Sequence, residues 1–497
     1  RPRAARATAR RAQTWSDYAN ALQKTKSPLA ATAGVRALAL APSDPDYVFN
    51  VGCDRQDADR LDEAERLLRR ARRLASSQPE IWARAAGLAF RRGDLAAAKR
   101  RAACAFALAP ASPAAANVWG MALLRQKHAD AIMWFRRALR AAPGFAEARL
   151  NLALCDLEAG RLASGWRNYE SRFASRGYVE GALNAPRWRG EPLAGKRLLV
   201  WREQGVGDEI LFSSCLKELI GAGAETVVRC DRRLVSLFSR SFPSIRFIPD
   251  GQEITLRFDY HTPMGSLPGL TRRTLANFAS VGTAAWLRPD ETTAAAWRRR
   301  LAALPRGLMV GIAWKSGLVA SEREATYTAL VDWLPLFKMA NINLINLQYG
   351  QCEEEIRQVE EQYGVSIWRW NDLDLKDDFE QTAALVSELD LIICPATAVG
   401  ELAGALGGCV WRLGARDWTF LGAAVRPWFS SQRPILPKDG APNAAIPFVI
   451  AKELDRLISH SPPTPSVQEE RRFETAAHDD SRAPASHQHG ADDPARL

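Results

Sequence analysis

Small and apolar residues in the first third of the chain recur with a helical period and, on a longer scale, with a period near 34. Ala37, Ala71, Ala105 and Ala138 are separated by 34, 34 and 33 residues. Other positions keep the same register: Gly52, Ala64 and Leu68, then Trp82, Gly93, Ala98 and Pro110, then Trp119, Gly120, Ala131, Phe135 and Pro143. Small residues let one helix lie close against the next, a large residue fills the gap beside them, and proline stops the second helix of the pair. The pattern predicts stacked helix pairs, with a degenerate pair near 11–44 and another running through Leu152, Gly160 and Tyr169.

From Lys196 the pattern changes to short apolar runs alternating with helical ones. The run 197–201 is short enough for a buried strand, and a glycine turn follows it, Gln204-Gly205-Val206-Gly207-Asp208. A helical pattern then runs through Ile210, Leu211, Leu216 and Leu219. Runs 226–230 and 245–248 read as further strands; the pattern restarts at 308–314 and continues at 342–347, 365–368 and 389–394, before a glycine and alanine helix at 402–406. Strands alternating with helices predict parallel sheets. Two Rossmann-like halves are expected to meet near 290–305, with a ligand cleft between them. At 497 residues the chain is also longer than one core supports.

The 34-residue register is that of tetratricopeptide repeats, whose stacked pairs form a curved array with a concave face for a peptide or partner domain. Composition narrows the rest. Hydrophobic content of 47% and charged content of 25% are those of a packed protein. No apolar run reaches the roughly 18 residues of a membrane-spanning helix, and the basic opening Arg1-Pro2-Arg3-Ala4-Ala5-Arg6 lacks the apolar core of a secretory signal. Eight scattered cysteines without a CxxC pair suggest reduced thiols and a cytoplasmic setting. The net charge of +11 is concentrated before residue 190, in arginines at helical spacing opposite an alanine and leucine stripe. That arrangement reads as the solvated face of the repeats and not as a nucleic-acid surface, because no aromatic stacking platform accompanies it.

Residues 188–211, together with Trp314-Lys315-Ser316-Gly317, Leu347-Gln348-Tyr349-Gly350 and the stretch from Thr397 to Gly407, resemble the bacterial tetratricopeptide-repeat glycosyltransferases. The body of that family is a GT-B fold similar to the ADP-heptose heptosyltransferases. The segment Gly165-Trp166-Arg167-Asn168-Tyr169-Glu170 resembles the same family, and the likeness covers about 35–455. With it the chain reads as an α + α/β architecture: repeats over 11–178, a Rossmann-like acceptor lobe over 186–290 and a Rossmann-like donor lobe over 305–458; from Ser459 the composition of Pro, Ser, His, Asp and Arg with almost no aliphatic residues predicts a disordered tail over 459–497.

The resemblance implies transfer of a sugar from a nucleotide-sugar co-substrate, without a further cofactor, to a protein or glycan hydroxyl held by the repeats. Flagellin is one acceptor it admits. Asp208, on the glycine turn of Gly205 and Gly207, matches the general base; the same aspartate also suits a helix N-cap, and both roles can coexist. Lys315 and Ser316, with Arg323 assisting, are expected to face the donor's diphosphate, beside Gln348 and the anion cradle at Thr397 and Ala398. His261 falls where the family has an acceptor-side loop and is either a second base or a hydrogen-bonded loop histidine.

One departure stands out: the family's Asp-Thr pair and histidine are replaced by Ala396-Thr397 and Glu401. Three explanations remain open. The donor differs, a monophosphate-linked sugar acid such as CMP-nonulosonate being one choice; or Glu401 turns away; or catalytic power has been lost and the chain is an adaptor. A dehydrogenase is the remaining alternative, with Gly205-x-Gly207 after a strand and Asp231 after the next, although Ile210 occupies the third-glycine position. No HExxH spacing or histidine cluster offers a catalytic metal site, and Asp372-Leu373-Asp374 reads as part of an acidic helix start. Trp314, Trp368, Trp370, Trp411, Trp418 and Trp428 suit either core packing or stacking on a sugar or base.

Overall fold

The computed structural model describes residues 2–24, 27, 29–126, 128, 130–176, 185–281, 284–316, 327–436 and 445–460. Ten helices make the N-terminal part: α1 Pro2–Lys24, α2 Leu29–Leu40, α3 Pro45–Asp57, α4 Leu61–Leu74, α5 Pro79–Arg91, α6 Leu95–Leu108, α7 Pro113–Arg125, α8 Ala131–Ala141, α9 Ala146–Glu158 and α10 Leu162–Tyr169. They pack as consecutive pairs into a tetratricopeptide-type solenoid. Ala37, Ala71, Ala105 and Ala138 sit on the second helix of successive pairs and are at most 1% exposed. A Cβ on Gly120 would fall 2.7 Å from the Phe135 ring, so α7 and α8 can meet at this distance only through glycine. A second 34-residue register also runs through the chain: Pro45, Pro79 and Pro113 each open the first helix of a pair, where the missing N–H costs nothing.

The arginines of the repeats are not simply solvated. Arg91 pairs with Asp59 at 2.7 Å, Arg92 with Asp62 at 2.5 Å and Arg101 with Glu65 at 2.9 Å, each reaching into the preceding pair, as Arg84 does to Asp57. Much of the positive charge is therefore used to stitch repeat to repeat.

The body holds two parallel sheets. The first has the order β3-β2-β1-β4, from β1 Arg197–Trp201, β2 Glu225–Cys230, β3 Arg246–Pro249 and β4 Tyr260–Pro263. The second has the order β10-β9-β8-β5-β6-β7, from β5 Leu308–Ile312, β6 Ile342–Asn346, β7 Ile367–Trp368, β8 Leu391–Cys394, β9 Val410–Leu413 and β10 Gln432–Ile435. Strands such as β8 are buried throughout, as expected of parallel strands covered on both faces. The two sheets are joined through helix Glu291–Ala302, which packs on the second one. The segment 186–188 runs beside β4, with the Trp188 amide donating to the His261 carbonyl at 2.8 Å.

Solenoid and lobes share one core. Trp166 and Tyr169 of the last repeat, Phe212 and Phe278 of the first lobe and Trp418 and Trp428 of the second meet in an aromatic cluster, with ring centroids 4.8 Å apart for Phe278 and Trp428 and 5.5 Å for Tyr169 and Trp418. Beside it, Gly160 in the repeat turn faces Gly422. Both have positive φ, and a Cβ on Gly422 would fall 2.7 Å from Gly160 Cα. The tail expected from Ser459 lies outside the described residues beyond 460, while helix Ile446–His460 runs through its first two positions.

Candidate functional site

In each sheet the loops leave the central strands in opposite directions at a switch point, next to β1 in the first and between β5 and β8 in the second, which is where α/β folds bind ligands. After β1 the glycine turn opens helix Val206–Ser213; after β8 the loop 395–397 opens helix Ala398–Ala405. These two helices pack together across the lobes. A Cβ on Gly207 would fall 3.3 Å from Ala398 Cα, so the absent side chain is what allows the approach. Asp208 is the next residue. Its carboxylate accepts the Gly205 amide at 3.3 Å, closing a capping arrangement at the helix start. Gly205 is thus the N-cap, and Asp208 caps the helix start from the N3 position and not from the N-cap expected of it.

On the facing helix Thr397 takes the N-cap position with extended backbone, but its hydroxyl bonds the Pro395 carbonyl at 3.4 Å and not the helix amides. Ala398 follows, half-buried. Lys315 and Ser316 lie just past β5, with Ser316 buried. The Lys315 ammonium pairs with Glu355 at 2.5 Å, and Glu355 also accepts from the Trp314 indole at 3.0 Å and the Leu330 amide at 2.9 Å. Gln348 is buried and uses its side-chain oxygen to hold the Trp314 and Lys315 amides at 3.1 and 3.0 Å, fixing the loop after β5. Arg323 lies outside the described residues.

Two expected site residues take other surroundings. His261 is not on a loop: it lies in β4, buried, with Nδ1 accepting the Trp201 indole N–H at 3.2 Å, which leaves its proton on Nε2. Glu401 turns away from the crevice. It pairs with Arg426 at 3.0 Å in a buried network that includes Gln432, Thr419, Arg412 and Asp417. Burial alone would raise the Asp417 carboxyl, but the Arg412 and Arg426 guanidiniums overcome it and hold it at about 2.

A cavity of about 530 Å³ opens at the carboxyl ends of β6 and β7, lined among others by Gln348, Tyr349, Trp370, Asp372 and Lys376. Trp370 meets Trp297 edge to face at 4.9 Å and is the one tryptophan of the second lobe on this wall; Trp314, Trp411 and Trp428 are buried in packing. Asp372 pairs with Arg300 at 2.6 Å, and Asp374 accepts the Lys376 and Asp377 amides, so both acids of the DxD motif are engaged within the fold. Among the described residues no group of three or more His, Cys, Asp or Glu is placed to hold a metal ion.

The sequence named Gln348, Trp370, Asp372 and Asp231 for separate reasons, but not the cavity that joins the first three, and it missed Glu209, Arg202 and Arg233 of the charged chain leading to it. Glu209, adjacent to Asp208, is buried against Arg202 at 2.5 Å and accepts the Asp231 amide at 2.8 Å. Burial pushes its carboxyl up to about 8, against the pull of Arg202 and of the Asp231 amide, and the Asp231 carboxylate adds to the rise. Asp231 pairs with Arg233, which crosses to the second lobe and donates to the Lys376 carbonyl at 2.8 Å, on the cavity rim. A glutamate inside the apolar helix Val206–Ser213 was the available signal, masked by the more conspicuous aspartate beside it.

Over 425 residues, 79% of this chain, the sequence is 32% identical to Protein FlbA of Caulobacter vibrioides (strain ATCC 19089 / CIP 103742 / CB 15), of which it covers 70%. No protein-family profile matches the chain. Among solved structures it is similar to MamA, with 18% identity, coverage of 30% of this chain and 87% of that one, and a TM-score of 0.24. It is also similar to YrrB, described as a TPR protein with an unusual peptide-binding site (17%, 33% and 85%, TM-score 0.24), and to PilF of Pseudomonas aeruginosa (15%, 48% and 94%, TM-score 0.31).

Proposed function

The chain belongs to the family of Protein FlbA; from the resemblance of its motifs and the geometry of its two lobes we propose that it is a glycosyltransferase of GT-B type, carrying a sugar from a nucleotide-sugar donor to a hydroxyl on a protein held by its solenoid. The observation that carries this reading is the meeting of the helix opened by the glycine turn with the helix opened by Thr397, Gly207 against Ala398, with Asp208 the next residue on the first of them. The donor's nucleoside fits the cavity at the ends of β6 and β7, within the volume range of small-molecule sites. Its phosphates fall between the end of β5 and the start of helix Ala398–Ala405, whose first amides lack a side-chain cap. In the transfer the acceptor oxygen bonds to the anomeric carbon, the bond from that carbon to the phosphate oxygen breaks, and the hydroxyl proton passes to Asp208. Lys315, shared with Glu355, supplies positive charge toward the leaving phosphate.

A second reading, a scaffold without transfer activity, is favoured by the fusion of both lobes and the last repeat into one aromatic core and by the commitment of Glu401 to Arg426. Thermal-shift measurements with UDP-, ADP-, GDP- and CMP-linked sugars, followed by transfer assays on Asp208→Asn, separate the two. A transferase is stabilised by one nucleotide class, and Asp208→Asn keeps donor binding while losing transfer by about 100-fold or more. Transfer that persists in Asp208→Asn removes the base; no response to any nucleotide sugar leaves the scaffold.

A further inference from the structure

A second cavity, open to solvent on one side, lies in the joint between the last repeat and the first lobe and has a volume of about 490 Å³. Helix α10 supplies Trp166 and Arg167, the segment beside β4 supplies Arg187, Trp188 and Arg189, and the stretch after β4 supplies Arg273. Four guanidiniums thus converge on a space the size of a small-molecule site.

The lining contains one carboxylate, Glu170, and it is already satisfied. Arg172 and the Ser266 hydroxyl donate to one oxygen at 2.8 and 2.7 Å, and Arg187 holds the other. Arg172 itself is fully buried and closed by Glu203 at 2.8 Å. Arg167, Arg189 and Arg273 have no carboxylate within 4.0 Å among the described residues.

This contrasts with two other places where guanidiniums meet, which come with their own acids: Arg412 and Arg426 with Asp417 and Glu401, Arg202 and Arg233 with Glu209 and Asp231. Unmatched like charges facing one cavity repel one another and focus a positive potential into it. The walls are firm. Trp166 and Trp188 are both buried, and a Cβ on Gly269 would fall 3.0 Å from Trp166 Cβ, so the stretch after β4 seats on α10 through glycine. The Trp166 indole N–H, buried in the wall, finds no acceptor among the described residues.

We infer that this joint pocket binds a small molecule carrying at least two negative charges on phosphate or carboxylate groups, gripped by Arg167, Arg189 and Arg273 with Arg187 behind them. The ligand bridges the solenoid and the first lobe. The site is separate from the crevice between the lobes: it shares no lining residue with the cavity at β6 and β7. A recess of this volume, open to solvent on the side of Arg167, Arg189 and Arg273, suits a compact anion better than an extended acidic peptide.

Calorimetric titration of the full chain with inorganic pyrophosphate, and separately with hexaglutamate, at low and raised salt, tests the assignment. Pyrophosphate is expected to bind, to weaken with salt, and to lose about tenfold in affinity for each arginine removed in Arg167→Ala and Arg273→Ala. Both side chains are exposed, so the unliganded variants are expected to melt with the parent. Pyrophosphate binding that is unchanged in the double variant, a preference for hexaglutamate, or no binding of either would overturn the inference.

Discussion

Glu401 stands where the family resemblance expects a histidine near the donor, and its pairing with Arg426 makes its role measurable. Consider Glu401→Ala. The Arg426 side chain is 2% exposed, and its guanidinium bonds Glu401 at 3.0 Å, Gln432 at 2.6 Å and, through Nε, the Thr419 hydroxyl at 2.9 Å. Removing the carboxylate leaves a buried cation with two neutral acceptors, and breaking a buried pair from one side costs about 3–5 kcal/mol. Asp417 still acts on Arg426, which places the expected loss near the lower end, about 3 kcal/mol. For a lobe of this size that corresponds to a fall of roughly 6–12 °C in melting temperature. Glu401→Gln keeps an acceptor and is expected to cost about 1–2 kcal/mol. Thermal and urea melts, each paired with a nucleotide-sugar titration, read both properties. If the carboxylate instead faced the donor, Glu401→Gln would tighten nucleotide binding at unchanged stability. That result, or an alanine variant melting with the parent, would refute the structural assignment.

Gly422→Ala combines positive-φ strain of about 1 kcal/mol with a Cβ 2.7 Å from Gly160 Cα; it is expected to loosen the solenoid from the second lobe, seen as faster tryptic cleavage at Arg161. Gly207→Leu places a side chain where only 3.3 Å separates even a Cβ from Ala398 Cα, and overpacking of about 1–3 kcal/mol should lower the melting temperature and weaken nucleotide-sugar binding together. Glu209 supplies a pH signature. Burial lifts its carboxyl from the ordinary glutamate value of 4.5 to about 8, so its contribution is fully present below the lower value and is lost as pH rises through the upper one. Stability should therefore fall between about pH 4.5 and 8, by a few kcal/mol at most, and Glu209→Gln should flatten the slope. A pH profile of the melting temperature that is identical in the variant would remove Glu209 as its source.

The solenoid was legible because close helix packing leaves a periodic record: alanines at 34-residue steps are where the second helix of each pair has no room for more than a methyl group. The long buried strands were legible for a similar reason, β1 to the residue and β5, β6 and β8 within a few positions. Strands β4, β9 and β10 were not. Tyr260–Pro263 carries histidine and proline, and Gln432–Ile435, at a sheet edge, opens on two polar residues followed by proline, so neither shows the continuous apolar run of a central strand. At the candidate site the sequence marked Asp208, Lys315, Gln348 and Thr397 as neighbours of strand ends, which they are. Their partners could not be read: Glu355 lies 40 residues from Lys315, and Arg426 lies 25 from Glu401. Such pairings depend on how β5, β8 and their following segments are threaded, and local spacing records none of that.

Trp166 and Tyr169 belong by sequence period to the repeats and by packing to the body. A fragment beginning after the last repeat would bare the faces of Trp418, Trp428 and Phe212 to water, while the repeats alone would end on an unburied indole. The chain should resist being shortened at the border its own periodicity suggests. Whatever rides on the solenoid is then delivered to the crevice at a set angle and distance, like work held in a jig and not on a tether.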